Sequence, residues 1–241
     1  MLSKNIRKII IGLCIVFSIM CCGIMAKASG TGINPFTLNA KSIITYSQKE
    51  VNSQNIVQNK GKILIYSTHT CEKNIAVIAE DLSQKLRNKG WEVEHNTDDF
   101  TKLNDYNNAY ANSKKMLETK DLSTYALVLD IHTDSTQSPI IDTINNKNVA
   151  KIMIPTTSEN PNLQQEAKII KGIKNNMKEF SSSMIREETT AYKVGIGHYN
   201  LSMSPNMLLL EIGSDKSTLM ECKLSNTYTA SAINTYLSNN K

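Results

Sequence analysis

Residues 125–134 read YALVLDIHTD, and the first seven of them decide the fold. The run is continuous and apolar rather than alternating, the pattern of a strand covered on both faces by other elements. Such strands belong to parallel sheets, whose crossover helices cover both sides. KILIYS at 62–67 and MLLLEI at 207–212 have the same character. Between these runs the apolar period changes. Ile75, Ile78, Ala79, Leu82 and Leu86 are spaced for a helix over 74–89, with Gly90 placed to end it. Residues 91–95 read as a strand, 106–119 as a helix, 148–154 as a strand, 162–180 as a helix and 217–237 as a last long helix. Strands alternating with helices predict an α/β fold: a single domain with a mostly parallel central sheet flanked by helices.

The folded pattern begins at Gly61. Before it, 1–28 carries Lys4, Arg7 and Lys8, then eighteen uncharged residues at 9–26, then Ala26-Lys27-Ala28. That order describes a secretory signal peptide, and the apolar run is also long enough to serve as an N-terminal membrane anchor. Both readings export the rest of the chain to the cell envelope, either secreted or membrane-anchored. Residues 29–60, rich in Ser, Asn, Gln and Lys, read as a polar linker, which leaves 61–241 as the folded domain.

The formal charge of +5 belongs to the leader. Four of the 27 basic residues lie there and none of the 22 acids does, so the remainder holds 23 basic residues and a net charge of +1. No basic surface for nucleic acid is implied. Three of the five cysteines also fall in the leader, and the two that remain, Cys71 and Cys222, make no disulfide framework.

Three of the apolar strands end in groups that bind metals or move protons. The run at 62–67 leads to His69 and Glu72, YALVLD leads to His132, and MLLL leads to Glu211. Ligands in open parallel sheets bind outside the carboxyl ends of the strands, so if these three strands are neighbours the four residues converge. Each alone has a plainer reading. His69 fits a surface or core histidine, Glu72 a helix cap, and His132 a partner of Asp130 or Asp134. Glu211 is harder to explain structurally, because an unpaired buried carboxylate is costly. Two histidines and one carboxylate suit Zn²⁺ with a fourth position open, and a second carboxylate would serve as general base. Asp130 and Asp134 are candidates for orienting the ring nitrogens. His95 and His198, in more polar surroundings, read as non-ligands. A thiol alternative, Cys71 with His69 or His132, leaves both glutamates without a role.

ILIYSTHTCE, YALVLDIHTDS and YNLSMSPNMLLLEIGSDKSTLMEC, in this order, resemble the stage II sporulation protein P family of peptidoglycan hydrolases, related to zinc-dependent N-acetylmuramoyl-L-alanine amidases. YNNAYANSKKML is similar to the family's S-Y-x-x-S-R segment. The resemblance implies Zn²⁺ ligands at His69, Glu72 and His132 and a catalytic carboxylate at Glu211. It implies cleavage of the muramoyl-alanine amide, and of peptide crosslinks, during engulfment in sporulation. It also implies peptidoglycan as substrate, with a lytic transglycosylase and a membrane recruiter as partners. Ser67 stands where the family has the first His of H-T-H, Thr133 where it has Arg, and Ser217 where it has Asn. These departures support a second reading, a catalytically degenerate wall-binding or scaffold protein of the same fold.

Overall fold

Two of the predicted strands, the runs at 62–67 and 125–131, lie side by side at the middle of the sheet. The computed structural model describes residues 60–101, 106–186, 191–192 and 196–240, so the leader and most of the linker lie outside the described residues. In chain order its strands are β1 (Lys62–Tyr66), β2 (Glu92–His95), β3 (Tyr125–Asp134), β4 (Ile141–Ile144), β5 (Lys147–Ala150), β6 (Ile152–Met153), β7 (Thr156–Thr157), β8 (Ala191–Tyr192) and β9 (Met207–Ser214). Its α-helices are α1 (Ile75–Arg87), α2 (Ala109–Glu118), α3 (Leu163–Met177) and α4 (Leu219–Asn239). The central sheet runs β2-β1-β3-β9-β6, parallel except for β6, which lies antiparallel on β9. The fold is α/β, with a mostly parallel sheet flanked by helices. Among the described residues no helix is long and apolar enough to cross a membrane.

The period of two along each strand sorts the side chains onto two unlike faces. Ile63 and Ile65 of β1, Leu127, Leu129 and Ile131 of β3, and Leu208, Leu210 and Ile212 of β9 join a large core under α1, α3 and α4. Leu64, Tyr66, Val128, Met207 and Leu209 belong to a smaller core with Leu117 of α2 and Leu201 of the 3₁₀ segment Ile196–Met203. Extending the alternation puts Asp130, His132 and Glu211 on the second, thinner face. The register agrees, since His132 stands opposite Glu211 across β3 and β9.

Local chemistry explains the helix ends. Gly90 adopts φ 93°, and the bonds from Gly90 N to Arg87 O (2.9 Å) and from Trp91 N to Leu86 O (3.3 Å) close α1 in a Schellman turn. Thr218 and Glu221 form a reciprocal capping box at the start of α4.

The structure corrects the strand expected over 148–154. It breaks at Lys151 into β5, which pairs with β4 in a hairpin, and β6, which joins the central sheet. Asn145 and Asn146, at φ 51° and 60°, make the two-residue turn that the right-handed twist of a hairpin requires. The helix expected from residue 106 opens as a 3₁₀ turn, Tyr106–Asn108, before α2 begins.

Candidate metal centre

His69 and Glu72 sit in the turn that joins β1 to α1, held together by the bond from Glu72 N to His69 O at 3.1 Å. This turn brings the Glu72 carboxylate across to β3. Its Oε1 lies 3.2 Å from His69 Nδ1 and 3.1 Å from His132 Nδ1. Its Oε2 accepts from Thr133 N at 2.6 Å and from the Thr133 hydroxyl at 3.4 Å. Glu72 is therefore not a cap for α1. Asn74 holds the N-cap position, without a side-chain cap bond.

The three residues offer ligand atoms that all lie within 4.8 Å of one another. Two ligands about 2.0–2.2 Å from a tetrahedral ion stand roughly 3.3 Å apart, close to the separations of Glu72 from each histidine. The donor set of two imidazoles and one carboxylate suits Zn²⁺, and the residues present fit the ion.

His132 presents its two ring nitrogens to different groups. Nδ1 faces Glu72, while Nε2 lies 3.1 Å from Asp130 Oδ1, off the direction a hydrogen bond needs. That contact is electrostatic. Burial would push the His132 pKa down, but Asp130 and Glu72 together hold it well above the ordinary imidazole value. Burial likewise raises Glu72, and the hydrogen bonds from His132, His69 and Thr133 N outweigh it, drawing the carboxyl down to about 2.

Glu211 behaves in the opposite way. Burial and then the nearby Asp134 carboxylate push it up to about 7, against the opposing pull of His132 and Arg186. Its Oε2 is buried and has no hydrogen-bond partner. A carboxylate in that condition costs stability, and a functional role accounts for its being there.

One cleft of about 510 Å³ holds His69, Glu72, His132 and Glu211 on its lining. Its lining is mixed. Tyr106 stacks on the His69 ring (centroids 4.0 Å apart, 16° between planes), with Tyr110 edge-on to the same ring at 5.1 Å. Lys73, Asp134 and Asp215 also line it. Asp134, a sequence candidate for orienting a ring nitrogen, instead pairs with Arg186 Nη1 at 2.5 Å. His95 lies at the end of β2, its Nδ1 2.7 Å from Glu80 Oε2. Cys71 is exposed and does not line the cleft. The side chain of His198 lies outside the described residues.

Sequence reasoning missed the tyrosines, Thr68, Ser113 and Asn200. Tyr106 and Tyr110 look like ordinary helix-face residues at spacing i, i+4. Only the fold shows that the face is turned towards His69.

A profile of the stage II sporulation protein P (SpoIIP) family matches residues 26–234. The chain belongs to this family. Membership gives it a peptidoglycan-hydrolase role in sporulation. Among curated proteins none matches the chain. Solved structures similar to it include the catalytic domain of the CD27L endolysin targeting Clostridia difficile, at 14% identity and TM-score 0.44, covering 74% of this chain and 97% of that one. The CwlD amidase from Clostridioides difficile, in complex with the GerS lipoprotein, is similar at 16% identity and TM-score 0.43, over 74% of this chain and 99% of that one. An N-acetylmuramoyl-L-alanine amidase from Clostridium difficile 630 is similar at 16% and 0.43, over 76% and 97%.

The three departures from the SpoIIP pattern occupy different places. Ser67 and Ser217 are buried and do not line the cleft. Ser217 Oγ accepts from Ser214 N at 3.0 Å where β9 turns at Gly213 (φ 69°), and a Cβ on that glycine would meet Ser217 Oγ at 2.8 Å. Thr133 alone of the three lines the cleft.

Proposed function

We propose that this protein is a zinc-dependent N-acetylmuramoyl-L-alanine amidase, acting on peptidoglycan outside the cell membrane during sporulation. The observation that carries the reading is that Glu211, with its Oε2 buried and unpartnered, shares one cleft with the cluster of His69, Glu72 and His132. Zn²⁺ held by those three residues would supply Lewis-acid polarisation of the amide carbonyl. The Glu72 carboxylate stays ionised at any physiological pH, as a ligand must. Glu211 takes a proton from the attacking water as its oxygen bonds to the carbonyl carbon. The same carboxyl then returns the proton to the amine nitrogen as the C–N bond breaks. Burial and the Asp134 carboxylate raise the pKa of Glu211 above the ordinary carboxylate range, the direction that suits a group which must both take and return a proton. The mixed lining suits a substrate that carries both sugar and peptide: the tyrosines would take a sugar ring face, and Lys73, Asp134 and Asp215 the polar groups of the stem peptide.

Peptide release from purified muropeptides, with and without a chelator, tests this reading. Release that stops with chelator and returns with Zn²⁺ is expected. Equal release in both conditions excludes zinc dependence, and a well-folded protein that binds no zinc at micromolar concentration points to the scaffold reading.

A further inference from the structure

Behind His132 a chain of buried polar groups crosses four separate segments. Asp130, fully buried on β3, accepts from Thr68 N at 2.8 Å through Oδ1 and from the Thr68 hydroxyl at 2.7 Å through Oδ2. Thr68 Oγ1 and Ser113 Oγ of α2 are 2.9 Å apart. The Thr68 hydroxyl hydrogen has two acceptors in reach, Asp130 Oδ2 and Ser113 Oγ, and the carboxylate is the nearer. Asn200 Nδ2, from the 3₁₀ segment, donates to Ser113 Oγ at 3.1 Å and to Tyr110 O at 3.0 Å. The Ser113 hydroxyl donates to the same Tyr110 carbonyl at 3.2 Å, whose two lone pairs accept from both. Asn200, Ser113 and Thr68 thus form one buried network, and its end at Thr68 donates twice to Asp130. Thr68, Ser113 and Asp130 are fully buried and Asn200 is 3% exposed.

A buried polar network of this kind is uncommon in a core that apolar residues could fill. It ends on the carboxylate beside His132 Nε2. We propose that Thr68, Ser113 and Asn200 are positioning residues: the relay fixes the Asp130 carboxylate, whose charge 3.1 Å from Nε2 favours the His132 orientation with Nδ1 turned to the metal position. This rests on the zinc reading above. It also explains why α2 and the 3₁₀ segment, which contribute no ligand, are tied to the site by side-chain bonds and not by apolar contact alone.

The test is zinc affinity by competition with a chromophoric chelator, read beside the thermal melt of the metal-free protein. Thr68→Val keeps the shape and removes the hydroxyl, and is expected to weaken zinc binding about 10–100-fold. Thr68→Ser restores the hydroxyl and is expected to recover most of that loss. Ser113→Ala, a mild change in a helix, removes the hydroxyl that links Thr68 to Asn200 and is expected to weaken zinc on the order of fivefold. In the same variants kcat falls with zinc held below saturation, while KM for the muropeptide is unchanged. Wild type that fails to bind zinc removes the metal reading itself. Wild type that binds zinc, with Ser113→Ala and Thr68→Val binding as tightly, overturns the relay and leaves the metal reading intact. Weakening by Thr68→Val that Thr68→Ser does not relieve also overturns it, because packing and not the hydroxyl would then be responsible.

Discussion

The two faces of the sheet are built from the same three strands and differ in what their alternate residues carry. On the face under α1, α3 and α4 the alternate positions Ile63, Ile65, Leu127, Leu129, Ile131, Leu208, Leu210 and Ile212 are all Ile or Leu. On the other face the same alternation begins apolar, at Leu64, Val128 and Met207, and turns polar towards the carboxyl ends, at Thr68, Asp130, His132 and Glu211. Stability is concentrated on the first face and chemistry on the second. A strand can serve both because its period separates them completely.

Neighbouring residues on β9 expose the difference most directly. Glu211→Gln is expected to lower kcat by about 10²–10⁴-fold, the usual contribution of a positioned acid–base group, with zinc affinity and melting temperature unchanged or slightly raised. A variant that retains wild-type kcat would remove Glu211 from the mechanism. Leu210→Ala, one residue earlier and 1% exposed in the large core, is expected to destabilise the fold by about 2–5 kcal/mol in urea melts. Its kcat at a temperature where it stays folded should match wild type. Loss of activity without loss of stability in Leu210→Ala would show that the faces are coupled.

Glu166 gives a second contrast, because burial pushes it up to about 7 as it does Glu211. It lies in the first turn of α3, 1% exposed, with Oε2 accepting from Asn160 Nδ2 at 2.9 Å and Oε1 unpartnered, and it does not line the cleft. A raised pKa alone therefore does not mark a catalytic group; its place at a strand end beside the histidines does. With a folded pKa of about 7 against an ordinary 4.5, Glu166 stabilises the fold fully below pH 4.5 and loses that contribution as pH rises through 7. Glu166→Gln should therefore gain stability relative to wild type between pH 5 and pH 8, by on the order of 2–3 kcal/mol in urea melts. A difference that stays flat across that interval contradicts the buried, protonated carboxyl.

Much of this division was legible in the chain. The parallel strands showed themselves because strands covered on both sides lose alternation, and Glu211 stood out as an acid at the end of an apolar run. His69, Glu72 and His132 were legible as a set only on the premise that their strands are neighbours, and the order β1-β3-β9 supplies it. The hairpin of β4 and β5 was illegible from hydropathy because IDTI is mostly exposed, although Asn145-Asn146 was a turn signal available to be read. Thr68, Ser113 and Asn200 could not be found from sequence. A buried hydroxyl or amide has no pattern of its own, and its partners lie 45 to 87 positions away.

The smallest expected effect is at Ser67, the first departure from the family pattern. Tyr66 and Thr68 both face the thinner side, so the alternation turns Ser67 to the face of Ile63 and Ile65, where its Oγ is buried without a partner. An unsatisfied hydroxyl there contributes nothing, and its removal relieves a desolvation cost. Ser67→Ala should leave kcat and zinc affinity within about twofold of wild type and raise stability by about 1 kcal/mol or less. Thr133→Ala is the matching change on the cleft wall. It keeps the 2.6 Å bond from the backbone N–H to Glu72 and removes only the 3.4 Å hydroxyl contact, so its effect on zinc should also be small while its effect on KM, through the cleft wall, should be the larger of the two. If Ser67→Ala proved the more damaging to catalysis, the separation of the two faces at the end of β1 would be wrong.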